Sequence, residues 1–179
     1  MKNNPAAFIN GLGHHENFLQ VTLRYFKTIP HSFIALLGRF SIAAAFWQSG
    51  QTKVEGFAID LVAVVFNLGL PRLSDSAVAL FQEEYHIPLL SPEIAAYMAA
   101  FAEHFFPVCL LLGIGTRFAA LGLLGMTLVI QLFVYPGAYP THGTWAALLL
   151  WLIALGPGRI SIDAYLANRY SAKQGAASI

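Results

Sequence analysis

Charge is what this sequence has least of. Only 11% of its 179 residues are Asp, Glu, Lys or Arg, while 57% are hydrophobic and the mean hydropathy is +0.61. A soluble domain carries roughly a quarter charged residues, so water is not the expected main solvent of the chain. The ten basic residues are scattered and nearly matched by nine acidic ones, which argues against a nucleic-acid partner. A single cysteine, Cys109, excludes an internal disulfide and any CxxC redox or zinc site, and reads as a small buried apolar side chain. No metal site is expected either: His14, His15 and Glu16 are adjacent, and successive helix positions diverge by about 100°. A cleaved secretory leader is not expected, because Lys2 is followed by Asn3, Asn4 and Gly11 rather than an unbroken apolar run.

What is present in quantity is apolar helix. Four stretches have the length and composition of membrane spans, at about residues 30–50, 92–113, 116–135 and 141–155. Ser91, Pro92 and Glu93 form an N-cap, a first-turn proline and a first-turn acid ahead of the second. Gly, Ala and Ser recur through all of them, as helices need for close approach where lipid supplies no hydrophobic drive. The fold class expected is an all-α membrane protein, a four-transmembrane-helix bundle over residues 30–158. Residues 1–29 form an interfacial amphipathic segment in this reading, with Leu19, Leu23 and Phe26 at helical spacing, and 159–179 form an amphipathic helix and tail. The outer loop 51–91 is long enough to carry structure of its own: a hairpin or re-entrant segment first, then a short helix capped by Ser74 or Asp75. With both termini cytoplasmic, Lys2, Arg24, Lys27, Arg117, Arg159, Arg169 and Lys173 lie inside, against Lys53 and Arg72 outside.

Two polar groups stand out against this background. Arg39 falls in the first span and Glu103 and His104 in the second. Helical rise places Arg39 roughly 14 Å from the cytoplasmic edge and Glu103 about 12 Å from it, which predicts an interhelical Arg39–Glu103 ion pair with His104 or Gln131 completing its hydrogen bonds. Such a pair either locks helix register or lines a site for a proton, a quinone or an anion. The second group gathers at the outer face: Gln48, Gln51 and Lys53 end the first span, Gln131 and Tyr135 the third, and Tyr139 and His142 open the fourth. These residues read as a site for a headgroup or small anion, or as ordinary interface chemistry. His86 reads as a loop residue.

The segments GRFSIAAAFWQSGQTKV, LFQEEYHIPLLSPEIAAYMAAFAEHFFPVCLLLGIGTRFAALGLLGMTLVIQLFVYP and THGTWAALLLWLIALGPGRISID closely resemble the DoxX family of bacterial membrane proteins. The resemblance runs from about Gly38 to Asp163 and includes Arg39, Gly50, Lys53, Glu103, the Gly113-x-x-x-Arg117 turn and the closing GPGRISID; the segment Val54 to about Leu73 is longer than the usual family connection. It implies a multi-pass protein of the bacterial inner membrane. Members related to DoxX and DoxD are associated with quinone-linked sulfur oxidation and membrane oxidoreductase assemblies, usually beside a partner protein. The resemblance therefore implies a membrane subunit of a quinone-linked, sulfur or redox-stress oxidoreductase assembly, with quinone as a non-covalent ligand and Arg39, Glu103 and His104 handling the proton. The alternative is a non-enzymatic scaffold, small-ligand binder or carrier, and transport by so few spans without inverted repeats would call for a homo-oligomer. The chain has no dithiol, haem-ligand pair or flavin-binding fold with which to act alone.

Overall fold

The computed structural model describes residues 18–60, 63–85 and 87–176, so His14, His15, Glu16 and His86 lie outside the described residues. The chain divides into two compact units, residues 1–31 and 32–179. The described part of the first is α1 (Phe18–Lys27), none of whose residues is buried; Arg24 and Lys27 stand in its last turn, where cations suit the helix dipole.

The second unit holds most of α2 (His31–Gln51), then the strands β1 (Val54–Asp60) and β2 (Val65–Leu73) and the helices α3 (Asp75–Glu83), α4 (Pro92–Leu112) and α5 (Thr116–Val129). α5 continues as a π-helical turn, Ile130–Val134, and a short 3-10 turn, Pro136–Ala138, leads to α6 (Tyr139–Leu155) and α7 (Ile162–Ala176). Local chemistry sets several of these boundaries. Ser74 caps α3 by accepting from the Ala77 amide, and Ser91 caps α4 by accepting from the Ile94 amide, with Pro92 in the first turn. α4 ends at Gly113, whose φ of 68° is left-handed, and the Ile114 amide reaches back to the Cys109 carbonyl, the pairing of a Schellman motif.

The helices are apolar on the outside. α4 exposes Ile94, Tyr97, Phe101, Phe105, Val108 and Leu112 at helical spacing while burying Ala95, Ala96, Ala100 and Glu103 on the opposite face. Large apolar residues outward and small or charged ones inward is the distribution of a chain solvated by lipid. By length and composition α4 and the continuous helix Thr116–Val134 can each cross a bilayer, and α1 with α2 together make a third candidate. α6, with 17 residues, sits at the lower limit of a crossing.

The expected outer loop is a structured layer. β1 and β2 pair antiparallel, with Val54 opposite Leu73 and Asp60 opposite Val65, and the register shifts between Glu55 and Phe57. The all-helical expectation is corrected to this extent: a two-stranded sheet is inserted between α2 and α3, because Val54, Phe57 and Ile59 in one strand and Val65 and Phe66 in the other favour extended backbone over helix. The backbone bond from the Ser74 amide to the Lys53 carbonyl closes the base of the hairpin. Phe81 of α3 then packs on Ala95 and Ala96 in the first turns of α4.

The main core lies toward the other end of the helices, where Ile42 and Phe46 of α2 meet Leu110 of α4, Leu123 of α5 and Leu149 and Leu152 of α6. A cavity of about 420 Å³ borders both this core and the α3–α4 cluster.

Candidate ligand site

Glu103 is the one acid buried in α4, and Lys53 is what it meets. The last turn of α2 carries Ser49 and Gly50; the turn beyond it, held by the Lys53 amide bonding to the Gly50 carbonyl, swings the lysine inward. Lys53 Nζ lies 2.7 Å from Glu103 Oε2, with 8% and 3% of the two side chains exposed. The approach is close but off the hydrogen-bonding direction, so the contact is an ion pair rather than a well-aimed bond. Ser49 knits the pair together, donating from Oγ to Glu103 Oε1 at 3.1 Å and receiving Lys53 Nζ at 3.1 Å on Oγ and 3.3 Å on its carbonyl. Only a glycine fits at position 50: a Cβ there would come within 3.0 Å of Glu103 Cβ and 2.9 Å of the His104 ring.

The expected Arg39–Glu103 pair is therefore corrected. Arg39 is fully buried, but its Nη1 donates to the Leu110 carbonyl at 3.3 Å and its Nη2 to the Ile160 carbonyl. It adds a second donor to the Leu110 carbonyl, which the Gly113 amide also reaches, and ties the end of α4 to the segment before α7. Asp163 completes this joint, accepting from the Gly115 amide at 2.8 Å and the Thr116 amide at 2.9 Å and so capping α5 from a distance. The physical reason for the miss is axial offset. Arg39 meets α4 at Leu110, seven residues beyond Glu103, or roughly 10 Å along the helix. Depth counted from Ser91 takes that residue as the membrane edge, whereas the first turns of α4 are covered by α3.

His104 points the other way, into the hairpin. Its Nδ1 lies 2.7 Å from the Ala100 carbonyl and its Nε2 lies 2.8 Å from Gln51 Nε2, while Gln51 Oε1 accepts the Ile59 amide at 2.7 Å. A carbonyl can only accept, and the Ile59 amide fixes which end of Gln51 faces the ring, so the network is satisfied by the tautomer with its proton on Nδ1. Trp47 and Phe57 close over the ring, and Trp47 Nε1 donates to the Ile59 carbonyl at 3.0 Å. His104 thus pins β1 to α2 and α4, and it does not line the cavity.

Around the cavity the structure assembles Lys53, Glu103, Tyr135 and His142 from the sequence candidates, and adds Ser49, Tyr85, Phe106 and Trp145. His142 is buried, and its Nδ1 faces Gln131 Oε1 at 2.8 Å; Gln131 Nε2 donates to the Pro136 carbonyl at 2.7 Å, so Gln131 must accept from the imidazole. That fixes the proton on Nδ1 and leaves Nε2 as an acceptor. Gln131 therefore positions His142 without lining the cavity itself. Tyr135 and Tyr85 join hydroxyls at 2.8 Å, and the Tyr135 hydroxyl reaches Glu84 Oε1 at 3.4 Å. Burial, then the bond to Tyr135, pushes the Tyr85 phenol well above its usual range, so it stays a neutral hydrogen-bonding group. Gln48 is exposed and takes no part. Ser49 had a legible signal, four residues before Lys53 and so on the same helix face; Tyr85 and Trp145 had none beyond being aromatic.

The site is thus a mostly apolar chamber with a self-neutralised ion pair on one wall and neutral hydrogen-bonding groups at the tyrosine and histidine side. Because Glu103 cancels Lys53 at 2.7 Å, the wall offers polarity without net charge. No curated protein and no solved structure gives a significant match to the chain. The family model described as DoxX matches residues 34–136, from α2 through the π-helical turn to Pro136, and so takes in Arg39, Lys53, Glu103 and Tyr135 but not His142. That match spans more than half of the 179 residues, and the chain belongs to the DoxX family.

Proposed function

We propose that this DoxX-family membrane protein holds a lipid-soluble quinone in the cavity bounded by Lys53, Glu103, Tyr135 and His142, and serves as the membrane subunit of a quinone-linked oxidoreductase assembly. The observation that carries the reading is the cavity: about 420 Å³, within the range of small-molecule sites, apolar through most of its wall and polar in a few places. The residues fit such a ligand. The His142 Nε2 acceptor suits a ring hydroxyl, the Ser49 and Tyr135 hydroxyls, whose protons go to Glu103 and Glu84, add polar surface near it, and Phe106 and Trp145 offer flat apolar surface. A quinone, when bound, supplies reversible two-electron, two-proton chemistry. His142, fixed by Gln131 with Nε2 free to accept, is the group we assign to take up a proton from the ligand. The neutralised Lys53 weighs against a small anion or a charged headgroup, the ligands of the alternative carrier or scaffold reading.

A chain with one cysteine has no dithiol to pass electrons, so the electrons come from or go to a partner protein. The arrangement in the membrane follows in the same proposal: four crossings by α2, α4, α5 and α6 in the bacterial inner membrane, with the Arg117 and Arg159 end and both termini cytoplasmic.

The test is mass spectrometry of the lipid extract from protein purified in mild detergent. A quinone at near one per chain, lost when Ala102→Phe fills the cavity, is the expected result. Protein that carries no quinone, or the same amount in the folded Ala102→Phe variant, overturns the reading.

A further inference from the structure

The cavity runs from a pair of tyrosines at one end to the outward faces of α4 and α5. At the tyrosine end the Tyr85 and Tyr135 hydroxyls meet at 2.8 Å and Glu84 anchors the pair. The rear walls are the buried Phe46 and half-buried Ser49 on α2 and the half-buried Trp145 on α6. α4 and α5 differ from these. Each contributes a residue that both lines the cavity and faces outward: Met98 on α4, 57% exposed, and Val129 on α5, 36% exposed. These helices are packed together at their Gly113 end through Leu110, Ala119, Ala120 and Leu123, so the seam between them can open only at the far end, where Met98 and Val129 stand. Phe106 marks its lower limit, its ring lying so near Gly122 that a Cβ there would come within 2.6 Å.

A second observation bears on the same place. Leu89 is fully exposed and has a φ of 72°, a left-handed conformation that suits glycine or asparagine and is strained for leucine. In water neither the backbone nor the side chain favours leucine there. The next residue, Leu90, is itself 40% exposed and lines the cavity, and the outward apolar stripe of α4 follows at Ile94, Tyr97 and Phe101. An exposed leucine in an unfavourable turn, continuous with a lipid-facing stripe, is consistent with a lip immersed in lipid.

We infer that the ligand enters and leaves sideways from the bilayer, through a portal between α4 and α5 framed by Met98, Val129 and the Leu89–Leu90 lip, with an apolar tail left in the seam. This rests on the quinone reading and adds the route and the requirement for a tail. The ligand class is accordingly a membrane-dissolved, tail-bearing molecule rather than a water-borne one.

The test uses the full chain in lipid nanodiscs and two probes, a decyl-substituted benzoquinone and the same ring without the tail, with quenching of tryptophan fluorescence as the readout because Trp145 lines the cavity. In the Met98→Phe/Val129→Phe double variant the decyl probe is expected to associate at least tenfold more slowly, and the tail-less ring, which must use the same entrance, to be slowed as well. Quenching of wild type by neither probe removes the quinone site and the portal with it. Quenching of wild type by both, with the variant slowing neither, removes the portal alone and leaves the site. A wild-type measurement avoids dependence on the variant's folding: a decyl probe with a photoreactive group at the tail end should label segments containing Met98 or Val129. Labelling confined to residues 84–88 overturns the lateral route.

Discussion

Replacing one member of the Lys53–Glu103 pair should do more damage than replacing both. Glu103 is 2% and Lys53 7% exposed, so neither charge can turn to water when its partner is removed. Lys53→Met leaves the carboxylate with a single hydroxyl, Ser49 Oγ; Glu103→Met leaves the ammonium with Ser49 alone. Breaking a buried pair costs about 3–5 kcal/mol, and at roughly 2–4 °C per kcal/mol for a chain of this size even the low end lowers Tm by roughly 6–12 °C. Replacing both with methionine removes the charges together and should recover much of that loss. The assay is a double-mutant cycle by thermal unfolding in detergent, run for Lys53 with Glu103 and in parallel for Arg39→Leu with Glu103→Met. The first cycle should show a coupling of about 2 kcal/mol or more; the second should be additive within about 0.5 kcal/mol, because Arg39 bonds to the Leu110 and Ile160 carbonyls instead. Strong coupling in the second cycle with none in the first would refute the pairing and restore Arg39 as the partner of Glu103.

Gly113→Ala places a side chain at a φ of 68° and sets its Cβ against Arg39 Nη1 and Ser161, so a loss of roughly 2 kcal/mol or more is expected by thermal unfolding. Asp163→Ala removes the acceptors of the Gly115 and Thr116 amides; those amides should exchange hydrogen faster and stability fall by about 1–2 kcal/mol. Gln51→Leu leaves the Ile59 amide and the His104 ring without their shared partner, and limited proteolysis should then cut the hairpin, residues 54–73, before the helices. Gln131→Leu leaves the buried His142 ring without its acceptor, so quinone binding should weaken several-fold and Tm fall modestly; unchanged binding would remove the Gln131-fixed His142 from the site.

Much of the fold was legible because its signals are local. Ser91, Pro92 and Glu93 announce the start of α4, Ser74 that of α3, and the β-branched run after Gly50 the hairpin. The site was half legible. Lys53, Glu103, Tyr135 and His142 stood out as polar groups in apolar surroundings, but the pattern says only that such groups face inward, not which faces which. That depends on the axial offset between α2 and α4, which the hairpin and α3 set: they cover the first turns of α4 and draw the end of α2 level with Glu103. His104 misled for the same reason. Its neighbour faces the cavity, and one step around the helix carries His104 to the hairpin, where Gln51 holds it.

A density map of the protein extracted from membranes with its native lipids tests the central claim most directly. The expected result is a ring in the chamber with an oxygen within hydrogen-bonding reach of His142 Nε2 or the Tyr135 hydroxyl, and a tail leaving between Met98 and Val129. A chamber collapsed onto its own side chains, or an anion bound to a Lys53 that has parted from Glu103, would contradict it.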